Sequence, residues 1–154
     1  MRNNSKPRQI LDTVNPLEPY LGYHLRRISA ASMASLTLLL NELDIRPSEA
    51  TVILFVQATP GVRQSLIGKH LGIRRANMAP LIAGLESKSL CRKEALDGRS
   101  SGIQLTKAGV KCAAKIEVKI RENEERCFGQ LTVRDRKALM KIISTINLEL
   151  ISLE

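Results

Sequence analysis

Residues 62–109 constrain the fold more than any other part of the chain. They predict two short helices followed by a basic β-hairpin. The first helix spans 63–71 and stops at Gly72, and the second spans 75–88. The hairpin pairs 90–95 with 102–105 across a tip reading Asp97-Gly98-Arg99-Ser100-Ser101. That order is a winged helix-turn-helix, mainly α with a small β-hairpin wing. Its second helix is narrow enough to enter a major groove of DNA, and the hairpin tip reaches the flanking backbone or minor groove.

Charge points the same way. Residues 62–109 hold nine bases (Arg63, Lys69, Arg74, Arg75, Lys88, Arg92, Lys93, Arg99, Lys107) against three acids (Glu86, Glu94, Asp97). The whole chain carries a formal +9. A basic excess alone is often just a solvated surface. Combined with the helix–helix–hairpin order, it suits a polyanion whose counterions are released on binding. At 154 residues the chain fits one domain, and with 3% aromatics and no Trp its core must be aliphatic. Cys91, Cys112 and Cys127 are odd in number and lack metal-ligand spacing, so neither a disulfide framework nor a zinc site is expected. Reduced thiols in a cytoplasmic protein fit best. No signal peptide opens the chain, and no apolar run reaches the roughly 20 residues needed to span a membrane. Two histidines, with no nucleophile–base order, no phosphate-cradling glycine loop and no paired carboxylates, argue against an enzyme and against a bound cofactor or metal.

The flanks complete the outline. Residues 1–16 read as a loose arm. Residues 17–43 read as a long amphipathic helix, with Leu21, Leu25, Ile28, Leu36, Leu39 and Leu43 recurring at helical spacing. Residues 41–46 break it. Pro47 opens a second helix to about Ala58, with Glu49 at its positive end and Val52, Ile53, Phe55 and Val56 turned to the core. Thr106 is an N-cap for a helix running to Phe128. Thr132-Val133-Arg134-Asp135 resembles a capping box, with Asp in place of Glu, opening a last helix through about residue 151. The helices at both ends carry more apolar surface than a small monomer covers, so they are expected to pack together and against a second copy. The expected division is an arm (1–16), a first helix (17–46), a DNA-reading unit (47–105) and C-terminal helices (106–154).

These residues resemble the MarR family of bacterial transcription regulators. The wing and the following turn match in Asp97-Gly98-Arg99-Ser100 and Leu105-Thr106-Lys107-Ala108-Gly109. The first reading helix matches in Gln64-Ser65-Leu66-Ile67-Gly68-Lys69-His70-Leu71-Gly72-Ile73, and the recognition helix in Leu81-Ile82-Ala83-Gly84-Leu85-Glu86. The resemblance implies a homodimer, dimerised through its N- and C-terminal helices, on a pseudo-palindromic double-stranded operator. It implies that a small ligand or an oxidant weakens DNA binding. It places the wing arginine at Arg99, its bracing acid at Asp97, and the groove-facing start of the recognition helix at Arg74, Arg75, Ala76, Asn77, Ala79 and Pro80. The chain departs from the family pattern at Ala76, Asn77 and Ala79, where Ser or Thr is common, at Pro80, where a base is common, and at Ser89, where glycine often closes the helix.

The expected DNA contacts are therefore Gln64, Ser65, Arg74, Arg75, Asn77, Ala79, Pro80, Arg99 and Ser100, with Asp97 supporting the wing. Asn77 fits bidentate bonding to adenine, or helix capping equally well. Gln64 and Ser65 fit phosphate contact or capping. Tyr20, Tyr23, His24, Arg26 and Arg27 form a polar, ring-bearing patch at the start of the first helix. The resemblance places ligand pockets beside that helix, and an aromatic carboxylate or its coenzyme A thioester suits such a patch. The snorkelling surface of an ordinary helix is the plain alternative. The expected function is a ligand-responsive repressor. The competing readings are a redox sensor, with Cys91 beside Arg92 and Lys93 as its thiol, and an effector-independent DNA binder.

Overall fold

The computed structural model describes residues 14–97 and 100–146, without the side chains of residues 96–100. Among these residues the order is α1 (Leu21–Asn41), α2 (Pro47–Ala58), α3 (Gln64–Leu71), α4 (Arg75–Ser87), β1 (Cys91–Asp97), β2 (Ser100–Leu105), α5 (Lys107–Phe128) and α6 (Val133–Ser144). The expected helix–helix–hairpin unit is present, framed by long helices.

Local chemistry sets each boundary. α1 begins at Leu21, four residues later than expected. Asn15 explains the delay: its side-chain oxygen accepts from Leu17 N–H at 3.1 Å and its carbonyl accepts from Glu18 N–H at 3.2 Å. Pro19 also disfavours a helical residue before it. The chain leaves α1 through a turn in which Asp44 takes the left-handed region, with φ 54°. α2 begins where Pro47 requires it, and the Glu49 carboxylate accepts from Arg46 N–H at 2.8 Å. α3 ends on left-handed Gly72, φ 64°, and Ile73 N–H reaches back to the Gly68 carbonyl at 2.9 Å. α4 ends the same way without a glycine. Ser89 takes φ 57° and Leu90 N–H bonds the Leu85 carbonyl at 2.9 Å. A side chain in that region costs about 1 kcal/mol. α4 runs unbroken through Pro80, which leaves the Ala76 carbonyl without its usual amide partner.

The strands are antiparallel, with Cys91 opposite Leu105 and Glu94 opposite Gly102, and a bulge lies between Ala95 and Asp97. Both strands run closer to the tip than expected. A contact that local sequence does not signal stitches the turn after α2 to this wing: Val62 bridges Ile103, with Gly61 N–H donating to the Ile103 carbonyl and Ile103 N–H to that of Val62, each at 2.9 Å.

The core is aliphatic. Leu40, Ile53, Ile67, Met78, Ile82, Leu85, Ile103 and Ile116 are fully buried in one cluster. Each such side chain contributes about 1.5–3 kcal/mol of transfer free energy. Phe55, expected in the core, is half-buried beside the His70 ring, and Leu81 is also half-buried against the cluster. α1 packs along α5, where buried Asn123 donates to the Ser32 hydroxyl at 3.2 Å. Thr132 caps α6 by accepting from Asp135 N–H at 3.2 Å and donating to its carboxylate at 2.6 Å. α6 stops at Ser144, short of the expected end, and residues 147–151 of that expectation lie outside the described residues. No residue of α6 is buried, and Met140, Ile142, Leu21, Ile28 and Leu38 are each more than half exposed.

Candidate nucleic-acid interface

α4 stands as a ridge between two open clefts. The cleft on the α3 side is lined by Gln64, Ser65, Lys69, Arg74 and Arg75, with buried Met78 as its floor. The cleft on the other side is lined by Asn77, Pro80, Leu81 and Gly84 against Asn41 and Arg46. The structure thus brings together Gln64, Ser65, Arg74 and Arg75. Asn77 and Pro80 lie on the opposite flank, and Ala79 lines neither cleft. Ala76, Ala79 and Ala83 are exposed, so this face of the ridge offers methyl groups rather than donors.

Neither capping alternative is seen. Arg63 and Arg74 hold the N-cap positions of α3 and α4, and neither helix has a side-chain capping bond. Gln64, Ser65 and Asn77 therefore keep their side chains out of the helix ends. Arg74 and Arg75 are exposed, and among the described residues no carboxylate pairs with them. The hairpin bases differ. Arg92 is bonded to Glu94, and Lys93 lies 3.2 Å from Glu86. Among the described residues, the start of α4 thus keeps two bases free of carboxylates, whereas Arg92 and Lys93 on the strand are engaged. Counting charges by segment cannot reveal that. Arg99, and the side chains of Asp97 and Ser100, lie outside the described residues.

The expected ligand patch centres on Tyr23. Arg26 and Arg27 lie over its ring at 5.9 and 5.4 Å from the centroid, one helical turn on. The His24 ring meets it edge-on at 5.4 Å. The Tyr23 hydroxyl accepts from the Asn15 amide at 2.9 Å. His24 Nε2 lies 2.7 Å from the Glu18 carbonyl, which can only accept, so this nitrogen carries the proton. His24, Arg26, Arg27 and Ile28 border a shallow hollow open to solvent. Tyr20 is 63% exposed, and among the described residues its side chain makes no hydrogen bond or ring contact with that cluster.

Cys91 does not match the redox expectation. Cys91 is buried, and burial together with the nearby Glu86 carboxylate pushes its pKa up to about 11, against a smaller opposing effect of Lys93. Burial also raises that of Cys112. Basic neighbours in sequence mislead here because both are engaged by carboxylates. Native protein at pH 7.5 is therefore expected to leave Cys91 unmodified by iodoacetamide while exposed Cys127 reacts, read by mass spectrometry before and after unfolding. The Cys91 contribution to stability is complete below pH 9, near the ordinary thiol value of 9.0, and fades as pH rises toward 11. Among the described residues, no group of three or more His, Cys, Asp or Glu is placed to hold a metal, and no helix is long and apolar enough to cross a membrane.

A two-helix reader, an antiparallel wing and flanking long helices define a winged helix-turn-helix protein. No family model matches the chain. A proposed transcriptional regulatory protein for the hcr operon of Thauera aromatica is 24% identical over 130 residues, covering 82% of this chain and 78% of that protein. The repressor CouR bound to a 23-mer DNA duplex superposes with a TM-score of 0.77 at 28% identity, covering 86% of this chain and 96% of CouR. A MarR-family regulator from Silicibacter pomeroyi gives 0.74 at 24% identity, over 90% and 94% of the two chains. In fold and sequence the chain is thus similar to winged-helix transcription regulators, MarR-family proteins among them. These relatives are transcription regulators by name.

Proposed function

We propose that the chain is a homodimeric repressor that reads a pseudo-palindromic operator and is released by a small aromatic acid or its coenzyme A thioester. The observation that carries this reading is the pair Arg74 and Arg75, exposed at the start of a ridge-like helix and without a carboxylate partner among the described residues. Such a ridge fits a major groove, with Gln64 and Ser65 supplying donors from α3 and Asn77 from the far flank. Arg99 and Ser100, braced by Asp97, extend the contact to the flanking backbone, an assignment that rests on the sequence. The open apolar faces of α1 and α6 support dimerisation through residues 17–46 and 106–154.

Tyr20, Tyr23, His24, Arg26 and Arg27 are the ligand residues in this reading. Guanidinium groups beside an aromatic ring suit a carboxylate or phosphate attached to a flat ring. CouR has also been seen bound to p-coumaroyl-CoA, at 27% identity and a TM-score of 0.77. Selection of bound duplexes from a random pool is expected to enrich an inverted repeat that competes with random DNA by ~10³ or more. p-Coumaroyl-CoA or p-coumarate is expected to displace that duplex and to raise the melting temperature, with about 2.7 kcal/mol gained at a hundredfold excess over Kd. Failure to enrich any repeat would overturn the operator assignment. Enrichment without displacement by any aromatic acid or thioester would leave an effector-independent binder.

A further inference from the structure

The far end of α4 is held by a cluster that neither the reading residues nor the ligand patch uses. Lys88 caps this helix and sends its ammonium to the turn after α1. Nζ donates to the Asp44 carbonyl at 2.5 Å and to Glu49 Oε2 at 3.2 Å, and Asp44 Oδ2 lies 3.5 Å away. The Glu49 side chain is only 7% exposed, and the same Oε2 accepts from Arg46 N–H at 2.8 Å. A buried carboxylate demands a cation, and removing that partner is strongly unfavourable. On the other side of the helix end, the Thr106 hydroxyl donates to the Ser89 carbonyl at 2.7 Å. The recognition helix is thus gripped at its C-terminal end, while its opposite end carries Arg74, Arg75 and Asn77.

We propose that Lys88 is a positioning residue for sequence reading: tied to Glu49 and Asp44, it fixes the angle at which α4 projects and so where its reading end meets the bases. The proposal rests on the DNA-reading role above. At a rise of 1.5 Å per residue, the 13 residues of α4 put its reading end about 20 Å from the anchor. A tilt of about 5° there moves that end by about 2 Å, more than a bidentate hydrogen bond tolerates. Random DNA, held through phosphates, is far less sensitive to such a shift. The ammonium is already engaged by two carboxylates and a carbonyl, so its loss removes no phosphate contact.

The test uses the full-length protein, its selected operator and a random duplex, with affinities measured over a range of salt concentrations. Lys88→Met is expected to weaken operator binding about tenfold or more while random-duplex affinity and the salt slope stay unchanged. Glu49→Gln should weaken operator binding as well, the double variant should be no worse than Lys88→Met, and Lys88→Arg should restore most of the loss. A merely structural role would lower the folded fraction without changing the operator-to-random ratio. A salt slope reduced by about one, with equal losses on both duplexes, would make Lys88 a phosphate contact and overturn the proposal. Unchanged operator affinity, or additive losses, would overturn it too. If Lys88→Met does not fold, the near-isosteric Glu49→Gln carries the same comparison. If the unaltered protein itself prefers no duplex, the DNA-reading role fails and this proposal fails with it. If it discriminates and the variants discriminate equally, only this proposal fails.

Discussion

Gly109→Ala is expected to lower stability by about 3 kcal/mol, near the upper end of ordinary overpacking penalties. A Cβ at Gly109 would lie 2.0 Å from the Leu90 carbonyl oxygen, a backbone atom that cannot rotate away. The same joint carries the Thr106 hydroxyl, which accepts from Gly109 N–H at 3.0 Å and donates to Ser89. Displacing α5 therefore also loosens the end of the recognition helix. This is the physical reason for the glycine in the Leu105-Thr106-Lys107-Ala108-Gly109 motif. For a chain of this size the melting temperature should fall on the order of 10 °C at fixed protein concentration. Gly22→Ala is the control: nothing lies within 4 Å of its Cβ, and it sits inside α1, so it should be neutral or gain about 0.5–1 kcal/mol. If both variants melted alike, the tight joint would be wrong.

Arg74→Ala with Arg75→Ala should reduce operator affinity about a hundredfold while leaving the melting temperature within a degree or two. Both side chains are exposed and have no carboxylate partner among the described residues, so their removal costs the fold little. On DNA each is worth about 1–3 kcal/mol if it reaches a base, and about 0.9 of salt slope if it meets a phosphate. Fluorescence anisotropy on operator and random duplexes separates the two. A base contact relaxes discrimination at one position of the site, whereas a phosphate contact weakens all duplexes together. Retention of full affinity by the double variant would remove the observation on which the functional reading stands.

What was legible in the sequence was local. Pro47 and Thr106 fixed the starts of α2 and α5 because a ring without an N–H and a capping hydroxyl act within a few residues. Gly72 ended α3 for the same reason. The start of α1 is later than its apolar spacing suggests, because the Asn15 turn and Pro19 compete with a pattern that continues upstream. Contacts distant in sequence stayed hidden. The Val62–Ile103 bridge joins residues some forty apart, and Lys88 meets Glu49 across 39 positions. A negative end-of-helix residue was visible at Glu49, but not the cation it would hold. The clustering of Tyr23, Arg26 and Arg27 was visible, because one helical turn suffices to bring them together, while the detachment of Tyr20 was not.

The crest of α4 has a consequence for how such a protein changes its targets over time. Ala76, Ala79 and Ala83 have exposed side chains that end at a methyl group, so longer side chains there would extend toward solvent or nucleotide. Single codon changes at these positions could therefore add a recognised base with little penalty to folding, and a duplicated copy could acquire a new set of promoters in a few steps.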